Sequence, residues 1–268
     1  MMKNLTNFKL LIFLPLSAAL SAEVWAADGT KAVDPITQFE CKYQADNNGV
    51  NRIIIADKCF AEFKAAASPM ATHGSEDGTV SAFGLSNILY IEVKGYKDPH
   101  HPDSDPVDRK LSIAGTNPKF VDIRAVRVNA KHGEVFVVDG AKSSVLVFQT
   151  DAGGNLAPLR TLTTNLVEGA SSITVDPVDN EIFVATGEKS SIKVFSRLAR
   201  EGAPAKSKFS AEILRTIEGD RTQIVTAQDV AVDFDHKELF VLDKRANQIL
   251  VFPSKGQGDM SPLRTIRG

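Results

Sequence analysis

The chain has 268 residues, 43% of them apolar, and a formal net charge of −2. That length is enough for a sizeable core, and the near-balanced charge excludes the broad basic face that nucleic acid requires. Two cysteines are too few for a cysteine-rich scaffold, and no Cys-x-x-Cys-His string is present to attach a c-type haem.

Residues 1–26 read as an export signal. Lys3 and Lys9 form a basic start, 10–20 an apolar core, and Val24-Trp25-Ala26 a small-residue cleavage site before Ala27. The apolar run is short for a membrane span, and no cysteine follows it to carry a lipid. The expectation is a cleaved signal, a periplasmic or secreted protein and no stable membrane insertion. Cleavage would remove Lys3, Lys9 and Glu23 and shift the net charge by only one. In an exported chain Cys41 and Cys59 read as one disulfide, closing a loop of about eighteen residues and worth about 3 kcal/mol on the loop-entropy model.

Residues 27–116 form an N-terminal segment that is harder to read. Arg52-Ile53-Ile54-Ile55-Ala56-Asp57 looks like a worn copy of a run that recurs later. Ile88-Leu89-Tyr90-Ile91-Glu92-Val93 matches a following strand, and Leu111-Ser112-Ile113-Ala114-Gly115 a closing one. Between them, 58–86 reads as an insert that begins with a short helix and ends in a Gly/Ser-rich loop at 72–79, where His73 lies. His100-His101-Pro102-Asp103-Ser104-Asp105, with Asp108 nearby, is dense in imidazole and carboxylate. His100, His101, Asp103 and Asp105 are the alternative metal candidates, weighed against a solvated loop marked by Pro102 and Pro106.

From 117 to 268 the chain repeats itself. Residues 134–148 read Glu-Val-Phe-Val-Val-Asp-Gly-Ala-Lys-Ser-Ser-Val-Leu-Val-Phe. Residues 181–195 and 238–252 say nearly the same, so the glutamates Glu134, Glu181 and Glu238 are spaced by 47 and 57. Fourteen residues after each glutamate stands Phe148, Phe195 or Phe252. Arg160, Arg215 and Arg264 recur further on. The extra ten residues of the middle unit fall mostly in the polar stretch 200–210.

Each unit holds four short runs rich in Val, Ile and Phe, at 172–175, 181–185, 191–195 and 214–217 in the middle unit, separated by turn residues. No window shows a helical stripe. Four strands in about 40–50 residues predict an all-β fold, a β-propeller of four-stranded blades.

The pattern Ile-Thr-Val-Asp-Pro, Glu-Ile-Phe-Val-Ala, Ser-Ile-Lys-Val-Phe, closing on Leu-Arg-Thr-Ile-Glu-Gly, resembles the NHL-type propeller repeat of bacterial exported proteins. The resemblance covers 117–268. It implies the fold and leaves the function open, because this architecture carries enzymes, ligand binders and scaffolds.

The count is three clear blades and one degenerate N-terminal blade, fewer than most propellers need to close. Three explanations stand: closure as four blades, two chains sharing one ring as a homodimer through the open blade edge, or a piece of a longer propeller.

In a propeller the inner strands line a central channel. Here their entries are Ile123-Arg124-Ala125, Ala170-Ser171-Ser172 and Ala227-Gln228-Asp229, with Arg124, Ser171 and Gln228 equivalent. Arg124, Ser171, Ser172, Gln228 and Asp229 are therefore the candidate ligand-binding residues, with Arg124 as an anion anchor and Asp229 as an acid or cation ligand. The bland alternative is a solvated channel mouth.

Enzymes that resemble this fold, such as lactonases, arylesterases and amidating lyases, imply a divalent cation held by several inward oxygen or imidazole ligands. One carboxylate among these positions departs from that pattern. No nucleophile elbow, phosphate loop or His-Glu-x-x-His string occurs. No catalytic residue and no cofactor is assigned. The expected function is a non-catalytic binding or scaffolding module of the cell envelope, with a protein, peptide or glycan partner. The alternative is a metal-dependent lactonase-like hydrolase or lyase.

Overall fold

The computed structural model describes residues 43–44, 54–55, 71–75, 78–85, 87–96, 103, 105–187 and 190–267. The signal region, Cys41, Cys59, the short helix expected after Cys59, His100 and His101 lie outside the described residues.

Four four-stranded antiparallel sheets follow one another along the chain, each paired in sequence order. The first is β3 (Thr72–Gly74), β4 (Val80–Leu85), β5 (Ile88–Tyr96) and β6 (Val107–Ile113), after a two-stranded piece formed by β1 (Tyr43–Gln44) and β2 (Ile54–Ile55). The second is β7 (Ile123–Asn129), β8 (Glu134–Asp139), β9 (Ser144–Gln149) and β10 (Arg160–Leu162). The third is β11 (Ala170–Asp176), β12 (Glu181–Thr186), β13 (Ser191–Ser196) and β14 (Arg215–Ile217). The fourth is β15 (Ala227–Asp233), β16 (Glu238–Asp243), β17 (Gln248–Pro253) and β18 (Arg264–Arg267). One short helix, α1 (Thr164–Val167), links the second sheet to the third.

Inner strands meet inner strands: β7 lies against β3 and β4, β11 against β7, and β15 against β11. This is the radial packing of propeller blades, so the expected fold is what forms.

Blade 1 differs from its expected layout. Its second strand is Val80–Leu85, not the run around Ile54, which pairs instead with Tyr43–Gln44. Its inner strand, Thr72–Gly74, lies where a Gly/Ser-rich loop is expected. The physical reason is pairing: Thr72 and His73 sit opposite Phe83 and Ala82, and the sheet satisfies backbone groups that a short polar run advertises poorly. The third and fourth strands fall where the sequence places them.

The blades hold together through their flat faces. Phe136, Val138, Val145 and Leu162 of blade 2 pack on Ile173, Ile182, Val184 and Phe195 of blade 3. One step on, Phe183, Ala185, Ile192, Val194 and Ile217 of blade 3 pack on Val230, Leu239, Val241, Leu250 and Phe252 of blade 4. The period-2 alternation supplies both faces of each sheet with apolar side chains, because a middle blade is buried on both sides.

Turn chemistry is repeated as well. Asp139 accepts from the amides of Val121 and Asp122, and Asp243 from those of Val225 and Thr226, so each aspartate ties a strand end to the entry of its blade. Ser143, Ser190 and Asn247 take the left-handed conformation at equivalent turn positions, which explains why small or amide side chains recur there. The long connection at 200–210 is folded back on itself, with the Arg200 amide donating to Phe209 and its guanidinium over that ring at 4.8 Å.

Candidate functional site: the channel and the blade edges

Where the inner strands enter, the register slips once in three blades, between Ile123 and Ala125, Ala170 and Ser172, and Ala227 and Asp229. Arg124, Ser171 and Gln228 are the bulged residues. Their equivalence in sequence is thus an equivalence of backbone, since a bulge re-aims the side chain that follows it.

Arg124 and Ser171 bond to different partners. Arg124 is half-exposed and bonds Asp122 at 3.1 Å. Ser171 is buried and donates to the carbonyls of Ala185 and Ala227, which staples blade 3 to blade 4. The expected anion anchor is therefore paired with Asp122 of its own blade entry.

The residues that do converge are Ser172, Asp229 and one that the sequence reading passed over, Arg127. The Arg127 guanidinium crosses the channel from blade 2 to blade 4 and bonds Asp229 Oδ1 at 2.8 Å and the Val230 carbonyl at 3.4 Å. The Ser172 hydroxyl donates to the same carboxylate oxygen from blade 3. Asp229 also accepts from the Val230 amide. The signal for Arg127 was present: on a strand whose neighbours Val126 and Val128 are buried, a charged side chain has only the channel to face.

Blade 1 contributes His73, whose Nδ1 accepts from the Val128 amide at 3.1 Å. Burial, with the Arg127 charge adding to it, lowers its pKa to about 4 against an opposing pull from Asp229. Each blade thus contributes one inner-strand side chain: Arg127 and Ser172 meet on Asp229, and His73 holds the Val128 main chain next to Arg127. Asp103 and Asp105, from the other metal candidate, lie between β5 and β6; Asp108 there accepts the Gly95 amide.

Two expectations follow. Asp229→Ala leaves the Arg127 guanidinium without its carboxylate in a site where the arginine side chain is 11% exposed. The expected loss is about 2–3 kcal/mol, below that of a fully buried pair because Asp229 is partly solvated. Arg127→Met with Asp229→Leu recovers most of it, since no charge is then stranded. Urea unfolding of the three proteins measures this. For His73, the folded pKa lies below the free value, so the unfolded chain binds the extra proton. Stability is then complete above pH 6.5 and falls as pH drops from 6.5 to about 4, with a slope of at most about 1.4 kcal/mol per pH unit. His73→Asn, whose amide oxygen replaces Nδ1 as acceptor, flattens that part of the profile; an unchanged profile would remove His73 as its source.

At the outer ends of the blades a second polar pattern repeats. Glu134 takes Arg160 of its own blade at 2.7 Å and Arg197 of blade 3 at 2.6 Å. Glu181 takes Arg215 of its own blade at 2.7 Å and Lys255 of blade 4 at 2.9 Å. Burial pushes the Glu181 carboxyl up, but bonds from Arg215 and Lys255 outweigh it and hold it below the ordinary value. Glu238 takes Arg264 of its own blade, and no cation from another blade reaches it among the described residues. The recurring arginines are therefore half of a clamp whose other half comes from the next blade.

At 13% identity, the blade geometry is similar to that of hydrazine synthase from Kuenenia stuttgartiensis, with a TM-score of 0.50 over 74% of this chain and 48% of that one. The WD40 propeller domain of Doa1 (TM-score 0.46, 13% identity, 74% and 54% covered) and a chain of the nidogen/laminin complex (0.49, 13%, 74% and 62%) also align. The chain spans about half to three-fifths of the length of these structures. No family model and no curated protein matches the sequence. The class is a β-propeller, with four blades in an open arc among the described residues, and the likeness is one of fold.

Proposed function

We propose that this chain is an exported, non-catalytic protein-binding or scaffolding propeller of the cell envelope, binding through an exposed blade face. The observation that carries this reading is the outer face of blade 4. Phe183 and Ile217 of blade 3 are fully buried against blade 4. Their counterparts in blade 4 are Phe240, which is partly buried, and Ile266, which is 50% exposed, with Leu242 at 41% on the same face across Ile249. An apolar face of this kind on a soluble domain marks an interaction site.

The channel supports the non-catalytic half of the reading. The one carboxylate among the described channel side chains is Asp229, whose Oδ1 accepts from Arg127 and Ser172, and one carboxylate falls short of the several oxygen ligands that a hydrolase's cation takes. The signal-like residues 1–26 support export.

The test is the binding of an environment-sensitive apolar dye to residues 27–268, compared with Leu242→Lys and Ile266→Lys. Strong dye binding that both substitutions abolish is expected. A wild-type protein that binds no dye has this face covered, and the reading fails. Thermal stabilisation by added calcium or zinc would favour the hydrolase instead.

A further inference from the structure

We propose that the open face of blade 4 is a docking site for one further β-blade, supplied by a partner polypeptide and recognised by a cation at Glu238. This rests on the binding reading above and names the occupant. Three regularities of the interfaces inside the chain define it.

The first is apolar. At the two interfaces from blade 2 to blade 4, the incoming blade lays a phenylalanine at the end of its third strand, Phe195 or Phe252, against the waiting face. The second is ionic. At both, the incoming blade brings a cation two or three residues after that phenylalanine, Arg197 to Glu134 and Lys255 to Glu181. The third is main-chain. At all three interfaces the loop after the incoming third strand donates one amide to the fourth strand of the blade before it: Gly154 to Ser112 at 2.7 Å, Glu201 to Thr161 at 2.8 Å, Gly258 to Thr216 at 2.7 Å. At the open end the counterparts stand ready. They are Phe240, Leu242 and Ile266 for the apolar contact, Glu238 for the cation, and Thr265 for the amide.

The partner is not this chain's own first blade from a second copy. There the position of Phe148, Phe195 and Phe252 is held by Glu92, which accepts from the Ser81 hydroxyl at 3.3 Å and lies 3.9 Å from the Lys110 ammonium. The far side of blade 1 is already covered as well, with Phe83 and Tyr90 stacked at 4.8 Å and 0% and 2% exposed. Blade 1 is finished as an end, as terminal repeats are; blade 4 is built as a middle.

The test appends a second copy of residues 220–267, the blade 4 unit without the fourth strand of blade 3, to the full chain, so that the copied lysine meets Glu238. The melting temperature is expected to rise by roughly 10 °C. In the extended chain, Glu238→Ala and Phe240→Ala become as damaging as Glu181→Ala and Phe183→Ala, whereas in the parent they do little. Reversing the copied lysine to glutamate removes much of the gain, and Glu238→Lys restores it. An extended chain with no rise, or in which Glu238→Ala stays silent, overturns the proposal even where the dye still binds the parent face.

A photo-crosslinking residue at position 242 of the full chain, in the cells that make it, gives an independent answer. A crosslinked peptide with an aromatic third strand followed by Lys or Arg, from another polypeptide, supports the proposal. A crosslink to a second copy of this chain, to a peptide without that pattern, or to nothing overturns it.

Discussion

Replacing Glu134 by alanine is expected to cost about 3–5 kcal/mol, a fall in melting temperature of roughly 10 °C for a domain of this size. The carboxylate lies between two guanidinium groups, Arg160 and Arg197, and all three side chains are nearly buried, at 8%, 12% and 9% exposure. Removing it leaves two cations facing each other between blades 2 and 3 in a nearly buried site. Glu181→Ala is expected to cost less, about 2–3 kcal/mol, because its second partner, Lys255, is 51% exposed. Glu238→Ala is expected to be the mildest of the three, since Arg264 is 49% exposed. Chemical denaturation of the three variants measures the order. Equal losses at all three positions would mean that the clamp between blades does not matter.

The same clamp gives a pH dependence. The folded pKa of Glu181 is lowered, so the unfolded chain binds its proton first as the solution is acidified. Its contribution is complete above the ordinary carboxylate range and is lost as pH falls through that range and below it. The Glu181→Ala protein therefore converges on the wild type in acid.

Phe183→Ala is the second large effect, expected at about 3–5 kcal/mol. The ring is fully buried between blades 3 and 4, and its neighbours are sheet residues held in register by β12 and β13, which cannot collapse into the space. Phe136→Ala is expected to match it between blades 2 and 3. Phe240→Ala, the same substitution in the same motif, is expected to cost less, about 1–2 kcal/mol, because the ring is only partly buried, with the Arg264 guanidinium 5.7 Å from its centroid. Thermal melts of the three proteins separate these outcomes. A Phe240→Ala loss as large as that of Phe183→Ala would show that blade 4 is covered in the protein in solution.

Much of this architecture was legible in the residues. Val, Ile and Phe at alternate positions, with Asp and Ser at the turns, specify four strands per unit, because strand period and turn chemistry act over a few residues at a time. The recurrence of Arg160, Arg215 and Arg264 marks them as residues of the blade edge, and each meets the recurring glutamate of its own blade, Glu134, Glu181 or Glu238. Blade 1 was only half legible. Its inner strand, at Thr72–Gly74, is three residues long and polar, and it forms only because Val80–Leu85 and β7 lie beside it.

The channel was the other limit. His73, Arg127 and Asp229 stand on different blades, with 102 residues between Arg127 and Asp229 alone, and no local pattern says which side chains the arc brings together. The sequence by itself determined the repeat, the strands and the faces that can be apolar, since those depend on local periodicity. Only the tertiary structure decided which apolar face is buried, which glutamate gains a second cation and which end stays open, because a face is core or surface according to whether another blade lies against it.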